Sequence, residues 1–203
     1  MHISEGVLSG PVIISGAAAA LAGTAVGLRK LDYEQMVHVA ILASAFFVAS
    51  LIHVNIGPAS THLVLNGIVG LILGFSAFPA IMTALILQAV LFGFGGLTTL
   101  GVNVVIMAAP AVAVHYLFLP LVGKSARMTY LAGAMAGGFA VLLSSILMAA
   151  SLWMTDQDFL VTSRLIVLAN IPVMIIEGIV SGFCLAFLVK VYPEIVPGKT
   201  LKQ

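Results

Sequence analysis

Between Glu34 and Lys124 the chain carries no aspartate, glutamate, lysine or arginine. A soluble domain needs charge over its water-facing surface, usually about a quarter of its residues. Here 7% of the 203 residues are charged and 62% are hydrophobic. A chain of this kind folds in lipid, where every backbone polar group has to be paired within the protein. The expected fold class is therefore all-α, a polytopic membrane protein embedded in the lipid bilayer. The net charge of +1 comes without a basic patch or an aromatic-rich basic helix, so nucleic acid is excluded as a partner. Cys184 is the only cysteine and has no internal disulfide partner.

Seven apolar segments follow one another, over 7–28, 37–56, 62–78, 79–97, 101–119, 129–153 and 165–190. Each approaches the ~20 residues that cross hydrocarbon as a helix. The third and fourth are short, and Pro79 marks the boundary between them. The small, apolar run from Ala17 to Ala22 would suit signal cleavage, but no basic region precedes it, so a retained first helix is expected. With no linker, low-complexity segment or internal repeat, residues 1–203 read as a single integral membrane domain.

Basic residues set the orientation. Arg29 and Lys30 follow the first segment, Lys124 and Arg127 the fifth, and Lys190, Lys199 and Lys202 the seventh, whereas only Arg164 falls on the other face, with Trp153, Asp156 and Asp158. The positive-inside rule then puts the N-terminus outside and the C-terminus in the cytoplasm.

The opening Met1-His2-Ile3-Ser4-Glu5-Gly6 places an imidazole directly behind the free α-amine. The amine, the amide nitrogen of residue 2 and the ring of His2 can close two fused chelate rings on one ion, a flat nitrogen field of the kind Cu(II) and Ni(II) favour. An incidental histidine on a frayed terminus is the plainer alternative. A square field needs one more donor. His38 and His115 are expected on the cytoplasmic side, whereas His53, near the outer end of the second segment, and His62, in the loop Asn55-Ile56-Gly57-Pro58-Ala59-Ser60-Thr61-His62, share the outer side with the terminus. His62 is preferred because irregular backbone at membrane depth occurs where it is buried in protein or lines a cavity. His53, Ser60 and Thr61 are candidates for a supporting layer. An ordinary connecting loop explains the stretch equally well.

A second polar stretch runs from Gln88 to Asn103, where Gly93, Gly95, Gly96, Gly101, Thr98 and Thr99 interrupt an aliphatic chain. It reads either as a tight turn or as close backbone approach around a site, with Gln88 and Asn103 hydrogen-bonding across the bundle. Glu177 falls within the seventh segment, where a carboxylate is costly and should face the bundle interior. A structural clamp is the favoured role, ahead of a proton carrier or a metal path. Ser15, Ala19, Gly23 and Gly27 recur every four residues, a small-residue stripe suited to close packing within the bundle or to docking of a partner.

Met1 to Gly6, the Gly57-to-His62 loop with Leu63 after it, and Phe92 to Asn103 together resemble the CbiM/NikM family, the membrane substrate-capture subunits of energy-coupling-factor cobalt and nickel importers. The resemblance spans almost the whole chain. It implies seven transmembrane helices with the N-terminal segment inserted into the bundle, and it implies that Met1, His2 and His62 supply the nitrogen donors for Co(II) or Ni(II) as transported substrate. It implies a membrane coupling subunit and two cytosolic ATPase subunits as partners, in the cell (inner) membrane of a bacterium or archaeon. Gly-x-x-x-x-Gly-Lys-Ser/Thr is absent, so this chain does not power uptake. The loop here reads Gly-Pro-Ala-Ser-Thr-His where many members are richer in glycine and serine, and any small accessory membrane subunit would be a separate chain. The rival expectation is a self-contained proton-coupled secondary transporter or channel working through Glu177 and the histidines. An intramembrane enzyme is not expected, since His-Glu-x-x-His is missing.

Overall fold

A computed structural model describes residues 2–51, 53–56 and 59–196; Met1 and 197–203 lie outside the described residues, as do the side chains of Glu34 and of 53–62. Eight α-helices and one β-hairpin form among the described residues: α1 Gly10–Lys30, α2 Tyr33–Leu51, β1 His53–Ile56, β2 Ala59–His62, α3 Asn66–Leu73, α4 Ala77–Phe92, α5 Leu100–Phe118, α6 Ala126–Thr155, α7 Leu160–Ala169 and α8 Ile171–Val191. Five stretches are long and apolar enough to cross a membrane: Gly10–Lys30, Asn66–Phe92, Leu100–Leu121, Ala126–Thr155 and Gln157–Val191. Gln35–Leu51 is a shorter apolar helix.

Several sequence expectations are corrected here. The second helix stops at Leu51, and His53 lies on a strand rather than at a helix end. The expected irregular loop is an antiparallel hairpin whose register pairs His53 with His62 and Asn55 with Ser60. The third segment yields only the eight residues of α3, and the break before α4 falls at Gly74, not Pro79. Gly74 turns the chain with φ 55°, a value that favours glycine, while Pro79 lies in the first turn of α4, where its missing N–H has no helical partner to lose. The last segment starts earlier than expected and is interrupted at Asn170, between α7 and α8. Arg164 accordingly sits inside α7.

Local chemistry sets the helix ends. Ser125 caps α6 by accepting the N–H of Met128 at 3.1 Å. Gly93 ends α4 in the left-handed region at φ 68°, and the N–H of Phe94 returns to the carbonyl of Gln88 at 3.3 Å. Arg29 and Lys30 close α1, where cations suit the helix C-terminus.

Contacts between elements fix how the helices run. The start of α1, the end of α2, the end of α4, the start of α5 and the end of α6 meet at one end of the bundle: Gln88 bonds Ser50, Ile3 bonds Asn103, and the N–H of Ser9 reaches Thr155 Oγ1. At the opposite end Lys30 lies over the Phe75 ring, and His115 Nδ1 bonds the carbonyl of Leu71 at 2.9 Å. α3 begins part-way between the two ends. The Asn66 amide donates to the carbonyl of Met107 and to Ser144 Oγ. Met107 lies one helical turn, ~6 Å, below Asn103.

Small residues let the backbones close up. Gly133, Gly137, Gly178 and Gly182 face the partner helix across the α6–α8 seam. The stripe on α1 divides. Gly23 lies against Phe78 and Gly27 against Phe75 and Pro79, within this bundle, while Ser15 and Ala19 are exposed. Steps of four residues advance 400°, so a four-residue stripe drifts around the helix and cannot form one face over its whole length.

Candidate metal-capture site

The N-terminal segment is pinned inside the first end of the bundle. Ile3 is buried; its N–H donates to Asn103 Oδ1 at 2.9 Å, and its carbonyl accepts from Asn103 Nδ2 at 3.1 Å and from Thr99 Oγ1 at 2.9 Å. Asn103 thus pairs with residue 3 as a neighbouring strand would. Glu5 makes the next attachment: its carboxylate accepts the N–H groups of Leu97 and Thr98 at 2.8 and 3.2 Å. Val7 and Leu8 then pack on the core before α1 begins.

The glycines between α4 and α5 make this possible. A Cβ on Gly96 would overlap the Glu5 side chain, and one on Gly95 would crowd Asn103 and His2. Both glycines also have positive φ, 75° for Gly95 and 159° for Gly96. Of the two sequence readings of this stretch, close backbone approach around the N-terminus is the one realised, and the turn between helices is its means.

The ring of His2 is held from α4. Its Nε2 lies 2.7 Å from Gln88 Oε1; Gln88 Nε2 donates to Ser50 Oγ at 2.6 Å, and Ser50 Oγ donates to the carbonyl of Phe47 at 2.6 Å. The proton positions follow from the far end. A carbonyl only accepts, so the Ser50 hydroxyl donates to Phe47 and its oxygen accepts from the amide nitrogen of Gln88. The amide oxygen of Gln88 then faces His2, and Nε2 carries the proton. Nδ1 becomes the basic nitrogen of the ring, and it is also the one close enough to the backbone to close a chelate with the amide of residue 2. Gln88 and Ser50 are both buried, so the relay is shielded from water. Phe94 flanks the same ring with centroids 6.2 Å apart, and Phe92 stacks on Phe94.

Of the residues expected at the site, His2, Gln88 and Asn103 are brought together. Met1 and the side chains of His53, Ser60, Thr61 and His62 lie outside the described residues. His38 and His115 are held elsewhere, His38 against Tyr192 and His115 against Leu71 near the opposite end. Ser50, Thr99 and Glu5 take parts that the sequence did not assign them. Among the described residues no three His, Cys, Asp or Glu side chains converge on a metal position.

Glu177 is buried in α8, and its carboxylate accepts at the start of α3. The N–H of Val64 donates to Oε1, and the N–H of Leu65 donates to Oε1 and Oε2 at 3.0 and 3.1 Å. This geometry is the clamp favoured from sequence. The carboxylate meets N–H groups that have no partner within the helix, at the end where the helix dipole favours negative charge.

The fold is of a definite class, a bundle of apolar, membrane-length helices with the N-terminal segment from His2 built into one end. The chain belongs to the CbiM family, described as the cobalt uptake substrate-specific transmembrane region, which it matches over residues 2–195. It is 44% identical over 202 residues to a putative metal transport protein of Haemophilus influenzae, with 96% of each chain covered. It is 37% identical over 114 residues to the fused nickel transport protein NikMN of Rhodobacter capsulatus, with 53% of this chain and 33% of that protein covered. A crystal structure of a transition metal transporter superposes with a TM-score of 0.81 at 25% identity, covering 94% of this chain and 93% of the other. Cobalt and nickel are the substrates of this family, and the chain is a multi-pass membrane protein of metal transport.

Proposed function

We propose that this chain is the substrate-capture subunit of an ATP-driven cobalt or nickel importer. It takes the divalent ion from outside with four nitrogens: the α-amine of Met1, the amide and Nδ1 of His2, and an imidazole from His62. The observation that carries the reading is the relay from Phe47 through Ser50 and Gln88 to His2 Nε2, which puts the ring proton on Nε2 and makes Nδ1 the basic nitrogen. A histidine on a frayed end would have no use for a buried relay set on two helices. Outer hydrogen bonds of this type are the usual means of fixing the tautomer of a metal-binding histidine.

Binding requires the amine to be neutral and the amide to lose its proton. The deprotonated amide brings one negative charge, so the ion is held in the bundle with reduced net charge, which lowers the cost of taking it out of water. Ile3, fixed by Asn103 and Thr99, sets the path of the backbone carrying that amide.

The topology of this reading has seven crossings within one domain: α1, α2, the hairpin with α3, α4, α5, α6, and α7 with α8. α3 alone is ~12 Å long, too short to span, and the hairpin would complete its passage. The N-terminus then faces outward and the C-terminus the cytoplasm of a bacterial or archaeal cell membrane. A membrane coupling subunit, two cytosolic ATPases and any separate small accessory membrane subunit complete the importer. The fused nickel relative supports partnership of this kind, because the stretch that this chain matches makes up only 33% of that protein.

Isothermal titration of Ni(II) and Co(II) into His2→Ala, His62→Ala, His38→Ala and His115→Ala proteins tests the donor set. High-affinity binding should vanish in the first two and persist in the others. Retained affinity in His62→Ala would remove the four-nitrogen reading and make His53 the next candidate donor.

A further inference from the structure

We propose that Glu177 is a positioning residue for metal capture. From α8 it locks the joint between α3 and the hairpin, and so fixes the strand ending at His62. The inference rests on the donor set proposed above.

The joint is Leu63-Val64-Leu65, between β2 and α3. On its helical side, α3 is wedged in place. A Cβ on Gly67 would strike the backbone of Ala136 and Gly137 in α6, and one on Gly70 would strike Ala111 in α5, so α3 has no room to shift toward either helix. On its other side, β1 and β2 pair with each other in the hairpin. Between them runs the backbone of the joint.

The joint brings no capping side chain to the start of α3. None of its three side chains is a Ser, Thr, Asp or Asn able to cap α3, and Leu65, at the N-cap position, makes no side-chain cap. Leu65 also has φ 54°, the only positive φ of a non-glycine residue among the described residues. A conformation so unfavourable for leucine persists where the surroundings over-determine it. Here the determinant is imported from 112 positions along the chain, as the Glu177 carboxylate takes the N–H groups of Val64 and Leu65 together.

The platform under Glu177 is itself rigid. Its neighbour Gly178 lies against Ala134, and its own carbonyl lies where a Cβ on Gly137 would fall. A clamp on so firm a base defines the position of the strand only two residues upstream. Loosening it should misplace the donor and leave the bundle folded.

The experiment uses the full chain with a native N-terminus. Wild type, Glu177→Gln, Glu177→Asp, His62→Ala and Leu185→Ala are compared by Ni(II) titration, by the Ni(II) ligand-field spectrum and by melting of the metal-free protein. Leu185 is a fully buried residue further along α8, in a cluster with Val114, Val122 and Ala132, and it calibrates packing damage alone. Glu177→Gln keeps an oxygen acceptor but loses the second one, and should weaken Ni(II) binding by ~10–100-fold, the usual loss when a supporting group of a metal ligand is removed. Its spectrum should shift away from the square-planar form, and Glu177→Asp should recover part of both. Leu185→Ala should lower melting while affinity and spectrum stay as in wild type. Wild-type affinity and spectrum in Glu177→Gln, with binding lost in His62→Ala, would overturn the inference and leave the donor set standing. Wild-type affinity in His62→Ala would overturn both. Should Glu177→Gln not fold, Glu177→Asp decides by the same two readings.

Discussion

Ser50 and Gln88 act on His2 through one proton each. Replacing Gln88 with leucine removes the acceptor for Nε2–H and leaves the Ser50 oxygen without its donor. Metal affinity should fall by ~10–100-fold, measured by titration, while His2 and the amine remain in place. Ser50→Ala should cost less, because Gln88 keeps its contact with His2 but loses the partner that fixes which way its amide faces. Proton release gives a second test at this scale. The ordinary α-amine pKa is ~8, so binding below that pH expels the amine proton as well as that of the amide. Affinity should therefore rise with pH up to about 8 and rise less steeply above it. Titrations in buffers of different ionisation enthalpy would report the protons directly. Gln88 and Asn103 were legible in the sequence because amides are conspicuous in an aliphatic run. Ser50 was not, since hydroxyls that bond back to their own helix are common and carry no signal of a distant partner.

At the level of elements, composition and periodicity located the long helices α1, α4, α5, α6 and α8. They could not locate the hairpin or the shortness of α3. Residues 62–78 are as apolar as any span, and what ends α3 is the φ of Gly74, a feature of geometry rather than hydropathy. The small-residue stripe on α1 left two readings open for a related reason, because spacing alone did not reveal which half faces inward. Its two halves should behave differently. Ala19→Leu, on an exposed face, should leave melting unchanged and impair co-purification with a coupling subunit if that face docks a partner. Gly23→Leu would drive its side chain into Phe78 and should destabilise the bundle by ~1–3 kcal/mol or more, as overpacking does. Equal melting of the two variants would contradict the packing described for α1.

As a whole molecule, a capture subunit of this kind should bind metal alone but not accumulate it alone. In proteoliposomes the isolated chain should show no ATP-independent uptake of Ni(II) or Co(II). Uptake driven by a proton gradient would instead favour a secondary transporter. Capture as proposed turns on the terminus, where the amine, the amide and the ring must share one ion. One residue inserted between Met1 and His2 enlarges the chelate and shifts His2 out of register, while the helices keep their sequence. The decisive measurement is metal bound per protein for the native terminus and for the one-residue insertion, with thermal melting of both as the control for folding. The account predicts stoichiometric metal on the native protein and almost none on a folded insertion variant. Full metal loading of that variant would contradict it.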